Sequence, residues 1–440
     1  MDPTCFQASH PVSSPPLSPE RMAAYVKILR EELVPAMGCT EPIAVAYAAA
    51  KCRQALGELP QSSLLSVSGN LIKNVKSVIV PNTGGLKGLE ASVAAGAVAG
   101  DPDAVLEVVS HITPDRYPEI EDYLRTHEIR VELADTDETF YLDLTMRAGE
   151  HSARVVISNY HTNIVLLEKD GRALFRSGDA AAQEGGLTDR SVLNVADILT
   201  FAEAVPLDQV ADILERQVAY NTAIADRGLT EEWGAQVGRT LMSQYDSADL
   251  VIRAKAYAAA GSDARMSGCG LPVVIVSGSG NQGMTASLPV VVFARALGKR
   301  REELLRALIV SNLITIHQKT GIGRLSAFCG AVSAGIGAAA GIAWLYGGRY
   351  EAVAHTIVNA LAILSGMTCD GAKPSCAAKI AAAVDAGIFG LKLYLNGQQF
   401  YAGDGIVTNG VDSTIENVGR MAREGMRETD REILRIMVGD

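Results

Sequence analysis

From 325 to 348 the chain carries no formal charge, and most of that run is Ala or Gly. It is long enough to cross a bilayer. Ala and Gly insert poorly beside Leu, Ile or Phe, however, and Arg324 and Arg349 bracket the run. No second comparable stretch follows, so no membrane role is expected. The run predicts a central buried helix whose neighbours' backbones approach it closely, and it opens on Arg324-Leu-Ser-Ala-Phe-Cys-Gly-Ala331.

The rest of the composition agrees. A chain of 440 residues, 48% hydrophobic, can bury a large core and is expected to form two domains. Only 5% of residues are aromatic while 42 are Gly, which suits packed helices better than an aromatic-cored sandwich. A net charge of −11, with no basic stripe, argues against nucleic acid. The seven cysteines are scattered rather than spaced as a disulfide framework. No basic start leads into an apolar secretory segment. A reducing, cytoplasmic setting with free thiols is the expectation, and residues 1–18, rich in Pro and Ser, are expected to be a flexible tail.

Ser18-Pro19-Glu20 is a helix start, with Ser as cap, Pro at the first position and an acid in the first turn. Pro35 and Gly38 should end that helix, and Cys39-Thr-Glu-Pro42 should open another reaching about 56. A cysteine at a helix N-terminus meets unpaired N–H groups and the positive dipole end, which favour thiolate. Cys39 is therefore a candidate ligand or nucleophile, with the alternative that it fills a gap between helices. Strands are predicted at 64–67 and 75–80, then a turn at 81–85 and helices at 90–99 and 118–126. Segments 129–134, 140–146, 153–159, 164–168 and 173–175 alternate apolar and polar residues across short turns, as in an antiparallel sheet. Beyond Arg176 the strands stop. Helices are predicted at 189–204, 207–223, 230–245, 247–260, 284–297, 300–317, 325–346, 350–366, 375–390 and, broken, 413–437. The fold class is mixed: a largely all-α catalytic domain, 19–59 plus 177–440, with an inserted α+β domain at 60–176 that contains the antiparallel sheet.

Several stretches carry chemistry. Ser277-Gly-Ser-Gly-Asn-Gln-Gly283 is a glycine-rich turn opening a helix, a ready anion site. It holds a formal GxGxxG, yet the helical region beyond lacks the βαβ context of a dinucleotide site. A loop holding an amino-acid carboxylate, with Ser279, Asn281 and Gln282 as donors, suits it better. No cysteines form a tight CxxC pair, so a structural zinc site is not signalled. Three thiolates from distant loops can instead hold an iron-sulfur cluster with one iron open as a Lewis acid. The alternative is that these thiols are simply buried.

Gly38-Cys-Thr-Glu-Pro42, Asn70-Leu-Ile-Lys-Asn74, Ser277–Gly283, Arg324-Leu-Ser-Ala-Phe-Cys329 and Gly366-Met-Thr-Cys-Asp-Gly371, in this order, resemble the L-cysteine desulfidase family. That family is related to the α chain of iron-sulfur-dependent L-serine dehydratases. The resemblance implies a [4Fe–4S] cluster held by Cys39, Cys329 and Cys369, with Cys376 as the alternative ligand. It also implies β-elimination from L-cysteine to sulfide, ammonia and pyruvate. L-serine dehydration and a non-catalytic iron-sulfur sensor remain alternatives.

A base with a pKa near neutrality must take the α-proton. Lys73 and His161 are the candidates, Lys73 first because its motif lies within the resemblance. Thr40 and Asn70 join the loop donors as candidate substrate contacts. The expected partner is a small amino acid, with a homodimer as the further possibility.

Overall fold

The structure, a computed structural model, describes residues 16–177 and 187–438. Most of the tail expected at 1–18 therefore lies outside the described residues. The described chain is mixed and predominantly helical, and one continuous buried cluster runs from Tyr25 to Ala422.

Helix α1 (Pro19–Glu32) starts as the sequence predicts, with the Ser18 hydroxyl accepting from the Arg21 N–H. Strand β1 (Pro35–Met37) follows, then α2 (Thr40–Leu56), β2 (Ser62–Val67), α3 (Gly69–Val75), α4 (Gly88–Ala99) and α5 (Tyr117–Thr126). Next come β3 (Glu128–Leu133), β4 (Tyr141–Ala148), β5 (His151–Ser158), β6 (Ile164–Lys169) and β7 (Arg172–Arg176). These strands form a sheet of order β3-β2-β4-β5-β6-β7. It is antiparallel except for the parallel β2/β3 pair, which α3, α4 and α5 connect. Leu142, Leu144 and Met146 alternate inward along β4, and α2 packs on that face.

The strand expected at 75–80 is not formed. Residues 69–75 are the helix α3, and 78–80 are irregular chain with Val78 and Val80 buried and a single bridge, Ile79 to Lys87. The β-branched residues that suggested a strand are there to fill the core. Tertiary packing decides the backbone, as it does for any short apolar run.

The second half is helical: α6 (Val195–Ala204), α7 (Ala211–Thr230), α8 (Val237–Gln244) and α9 (Leu250–Met266). Strand β8 (Pro272–Val274) then pairs antiparallel with β1, joining the two halves of the chain. After it come α10 (Gly280–Ala296), α11 (Arg301–Ile322), α12 (Gly330–Leu345), α13 (Tyr350–Ile363), α14 (Cys376–Leu395), α15 (Val411–Arg420) and α16 (Arg427–Val438).

The charge-free run becomes α12, enclosed by α10, α11, α13 and α14. Its glycines let the neighbours in. A Cβ at Gly337 would lie 2.2 Å from the Thr315 hydroxyl oxygen on α11, and one at Gly335 would lie 2.5 Å from the Ala383 carbonyl on α14. Among the described residues no helix is long and apolar enough to cross a membrane.

Candidate active site

Four helices begin at one cavity. Cys39 caps α2, Ser279 caps α10, Cys329 caps α12, and Cys376 is the first residue of α14. Helix starts carry unpaired N–H groups and a positive dipole end, so the cavity is electropositive by construction. Its volume is about 90 Å³, and its walls include Cys39, Cys329, Cys369 and Cys376.

Two short backbone bridges hold Cys329 beside Cys369. The Cys329 N–H donates to the Met367 carbonyl at 2.8 Å, and the Cys369 N–H donates to the Ala327 carbonyl at 2.6 Å. The helix predicted from 325 therefore starts only at Gly330, because 327–329 is extended against 367–369. Gly371, at φ +91°, then turns the loop away. A Cβ there would lie 2.2 Å from the Lys73 carbonyl, so only glycine lets this loop close against α3.

The two thiols hydrogen-bond to each other, with opposite consequences. The bond from Cys329 lowers the pKa of Cys369 to about 6, and the charge of Lys73 helps against the cost of burial. Cys329, the donor, is pushed up by the same bond and by burial. Cys376 interacts electrostatically with both. Lys319 projects from α11 into the cavity, buried, and burial lowers its pKa to about 8 against the pull of Cys369 and Cys329.

Cys39 differs from the other three. Its thiol donates to Glu41 Oε2 at 2.9 Å. Burial and then the Glu41 charge raise it well above an ordinary thiol. The helix-start argument for a Cys39 thiolate is thus overturned, because a carboxylate and a dry environment outweigh the dipole. The Asn74 amide donates to the other Glu41 oxygen at 3.2 Å.

Ser279, Asn281 and Gln282 line the same cavity. Asn281 Oδ1 accepts from Arg265 Nη1 at 3.1 Å, while Gln282 Oε1 is buried with no partner. The Thr40 hydroxyl donates to the Gly278 carbonyl at 2.9 Å, tying α2 to this loop rather than facing the cavity. His161 packs against Phe140 and against Gly278. Burial lowers its pKa to about 4, so the ring is neutral, and its Nε2 has no partner.

Asn70 and Lys73 face an adjoining cavity of about 550 Å³. Both are bound there by Asp430 of α16, at 2.9 Å and 2.5 Å. Arg324, ion-paired with Glu32 at 3.0 Å, lies at the junction of both cavities. Cys52, buried under the sheet on the Ala153 carbonyl, and Cys269 lie away from these walls.

Sequence reading missed Glu41, Arg265, Lys319 and Asp430. Glu41 lay inside a stretch already singled out, whereas Arg265 and Lys319 lie within helices that gave no sign of a site. Asp430 gave no local signal, being 357 residues from Lys73.

Among the described residues no group of three or more His, Cys, Asp or Glu is gathered closely enough for a single metal ion. A cluster makes a different demand. Each thiolate takes its own iron, so the ligands surround a cube rather than a point. Thiols spread over the walls of one electropositive cavity fit that demand.

The family model described as the serine dehydratase alpha chain matches residues 103–435, and the chain belongs to that family of lyase-type enzymes. A UPF0597 protein of Desulfitobacterium hafniense is 56% identical over 414 residues, covering 94% of this chain and 96% of the relative. A UPF0597 protein of Lachnoclostridium phytofermentans is 51% identical over 413 residues, 94% and 99%. One of Treponema denticola is 48% identical over 423 residues, 94% and 98%.

Proposed function

We propose that the protein is an iron-sulfur-dependent amino-acid lyase that carries out β-elimination on L-cysteine, releasing sulfide, ammonia and pyruvate. One observation carries the reading: four thiols on the walls of a small electropositive cavity, beside buried polar atoms that have no partner. Cys329 and Cys369 would hold a [4Fe–4S] cluster with one further thiol. The mutual interactions of Cys329, Cys369 and Cys376 favour Cys376, while Cys39, engaged by Glu41, is the other choice. When bound, such a cluster supplies Lewis acidity toward the leaving group.

The chain's own groups do the rest. The free Gln282 oxygen is an acceptor for an ammonium group, and Ser279 and Asn281 set the loop around it. Of the two expected bases, Lys73 is held by Asp430 and His161, with an unpartnered Nε2 and a pKa of about 4, lines a neighbouring cavity, while Lys319 on the wall of this one, at about 8, comes nearest to neutrality. Lys73 instead places positive charge beside Cys369. Thr40 and Asn70 position the loop and Lys73.

L-serine dehydration is the second reading, favoured by the description of the family model. The two are separated on anaerobically purified, reconstituted protein by iron and sulfide content and by product release. Sulfide from L-cysteine, lost in Cys329→Ala, supports the first reading. Pyruvate from L-serine alone moves the protein to the second. A cluster without turnover leaves a sensor, and no iron and no turnover refutes both lyase readings.

A further inference from the structure

Arg265 is a buried cation whose counter-charge is missing. The side chain, on the last turn of α9, is 2% exposed. Its Nη1 donates to a neutral amide, Asn281 Oδ1, and its Nε is buried with no partner. No carboxylate pairs with it among the described residues. Burying an unpaired guanidinium is costly, so sites of this kind are completed by an anion.

The surroundings add to that cost instead of relieving it. The guanidinium lies across the first residue of α10, since a Cβ at Gly280 would lie 2.4 Å from Arg265 Nε and 2.7 Å from its Cζ. The positive end of a 17-residue helix thus faces a cation. Two positive features stacked on one cavity wall repel each other unless an anion sits between them. Glu41 does not fill that place, because its oxygens are engaged by Cys39, Thr40 and Asn74.

We propose that Arg265 and the N-terminus of α10 form the subsite for the substrate's α-carboxylate. The planar guanidinium suits that group's paired oxygens. Gln282 Oε1, the unpartnered acceptor on the same wall, then faces the α-ammonium. The ligand class is a small α-amino acid with a free carboxylate. This inference rests on the lyase reading for its chemistry but not for its test.

The test reads binding apart from turnover. L-alanine has both groups and no leaving group, and ethylamine lacks the carboxylate. In calorimetric titrations of the full-length reconstituted protein, L-alanine should bind and ethylamine should not. Arg265→Gln should weaken L-alanine by about tenfold or more, the range of a lost charged hydrogen bond. KM for the turned-over amino acid should rise in parallel, with iron content unchanged. Equal binding of L-alanine and ethylamine to wild type, or binding of neither, overturns the proposal even if the variant fails to fold. So does unchanged L-alanine affinity in Arg265→Gln, or loss of iron from that variant, which would make the guanidinium a counter-charge to the cluster. Failure of the lyase reading shows differently, as absent turnover with the L-alanine result intact.

Discussion

Cys369, half-buried, and Cys39, buried, line the same cavity, yet their thiols are pushed in opposite directions. Cys369 accepts a hydrogen bond from Cys329 and has Lys73 and Lys379 nearby. Cys39 donates to the carboxylate of Glu41. A helix start surrounds Cys39 and not Cys369, so the dipole alone would order them the other way. Burial for Cys39, and the hydrogen bond from Cys329 for Cys369, outweigh the half-charge of a helix end, and the neighbouring charges of Glu41 and Lys73 add to each. The cavity therefore has one thiol pushed down, Cys369 on the loop before α14, beside Cys329 and Cys376, which are pushed up, and on its α2 wall a further raised thiol, Cys39.

The sharpest break in that comparison is loss of the cofactor. Cys329→Ala and Cys369→Ala should each bring iron in the reconstituted protein close to nothing and abolish turnover. Cys39→Ala should retain most of the iron if Cys376 is the third ligand. Equal iron loss in all three would put Cys39 among the ligands and erase the division.

The lowered thiol of Cys369 also depends on the far end of the chain, through Lys73. Asp430→Ala leaves Lys73, 2% exposed, without its carboxylate. Breaking a buried pair from one side costs about 3–5 kcal/mol, and Asp430 is partly open to water, so about 3 is expected in urea unfolding. A loss under about 1 kcal/mol would mean that water replaces the carboxylate easily and that α16 does little to hold Lys73 near Cys369.

The difference between the two thiols explains what could be read from the sequence. The α12 core was legible because a charge-free Ala/Gly run has few other uses, and the sheet was legible from alternation. The thiol-bearing segments were recognisable by motif. Their electrostatics were not, because Lys73 meets Asp430 and Cys369 only in the folded chain. Glu41 stands two residues from Cys39, yet local reasoning weighs the dipole first and cannot tell that water is excluded. Helix α3 was missed for the same reason. Gly69 and Asn70 are poor helix formers, and the helix forms because Leu71, Lys73 and Val75 are buried by distant elements.

Behind Gly278, in the neighbouring cavity, His161 should dominate the acid response. Its folded pKa of about 4 lies below the ordinary 6.5, so between those values the unfolded chain binds more protons. Its contribution is whole above about pH 6.5 and is lost as the pH falls toward 4. At about 1.4 kcal/mol per unit, roughly 3 kcal/mol of stability is lost across that window. His161→Phe, which keeps a ring against Phe140, should flatten that part of the stability profile. An unchanged slope would assign the acid response to the carboxylates.

The smallest effect tests the cause of the division itself. Glu41→Gln keeps an acceptor for the Cys39 thiol and removes only the charge. In metal-free protein, the pH midpoint for alkylation of Cys39, followed on its own peptide, should fall by about one unit or more, while that of Cys369 stays in place. Cys39 should still titrate above an ordinary thiol, because burial is the larger cause. If the midpoint does not move, burial alone protonates Cys39, and Glu41 is there to hold Asn74 and the start of α2. A fall to an ordinary thiol value would mean that the site is wetter than its exposure indicates. In that case the helix start would regain its influence over Cys39.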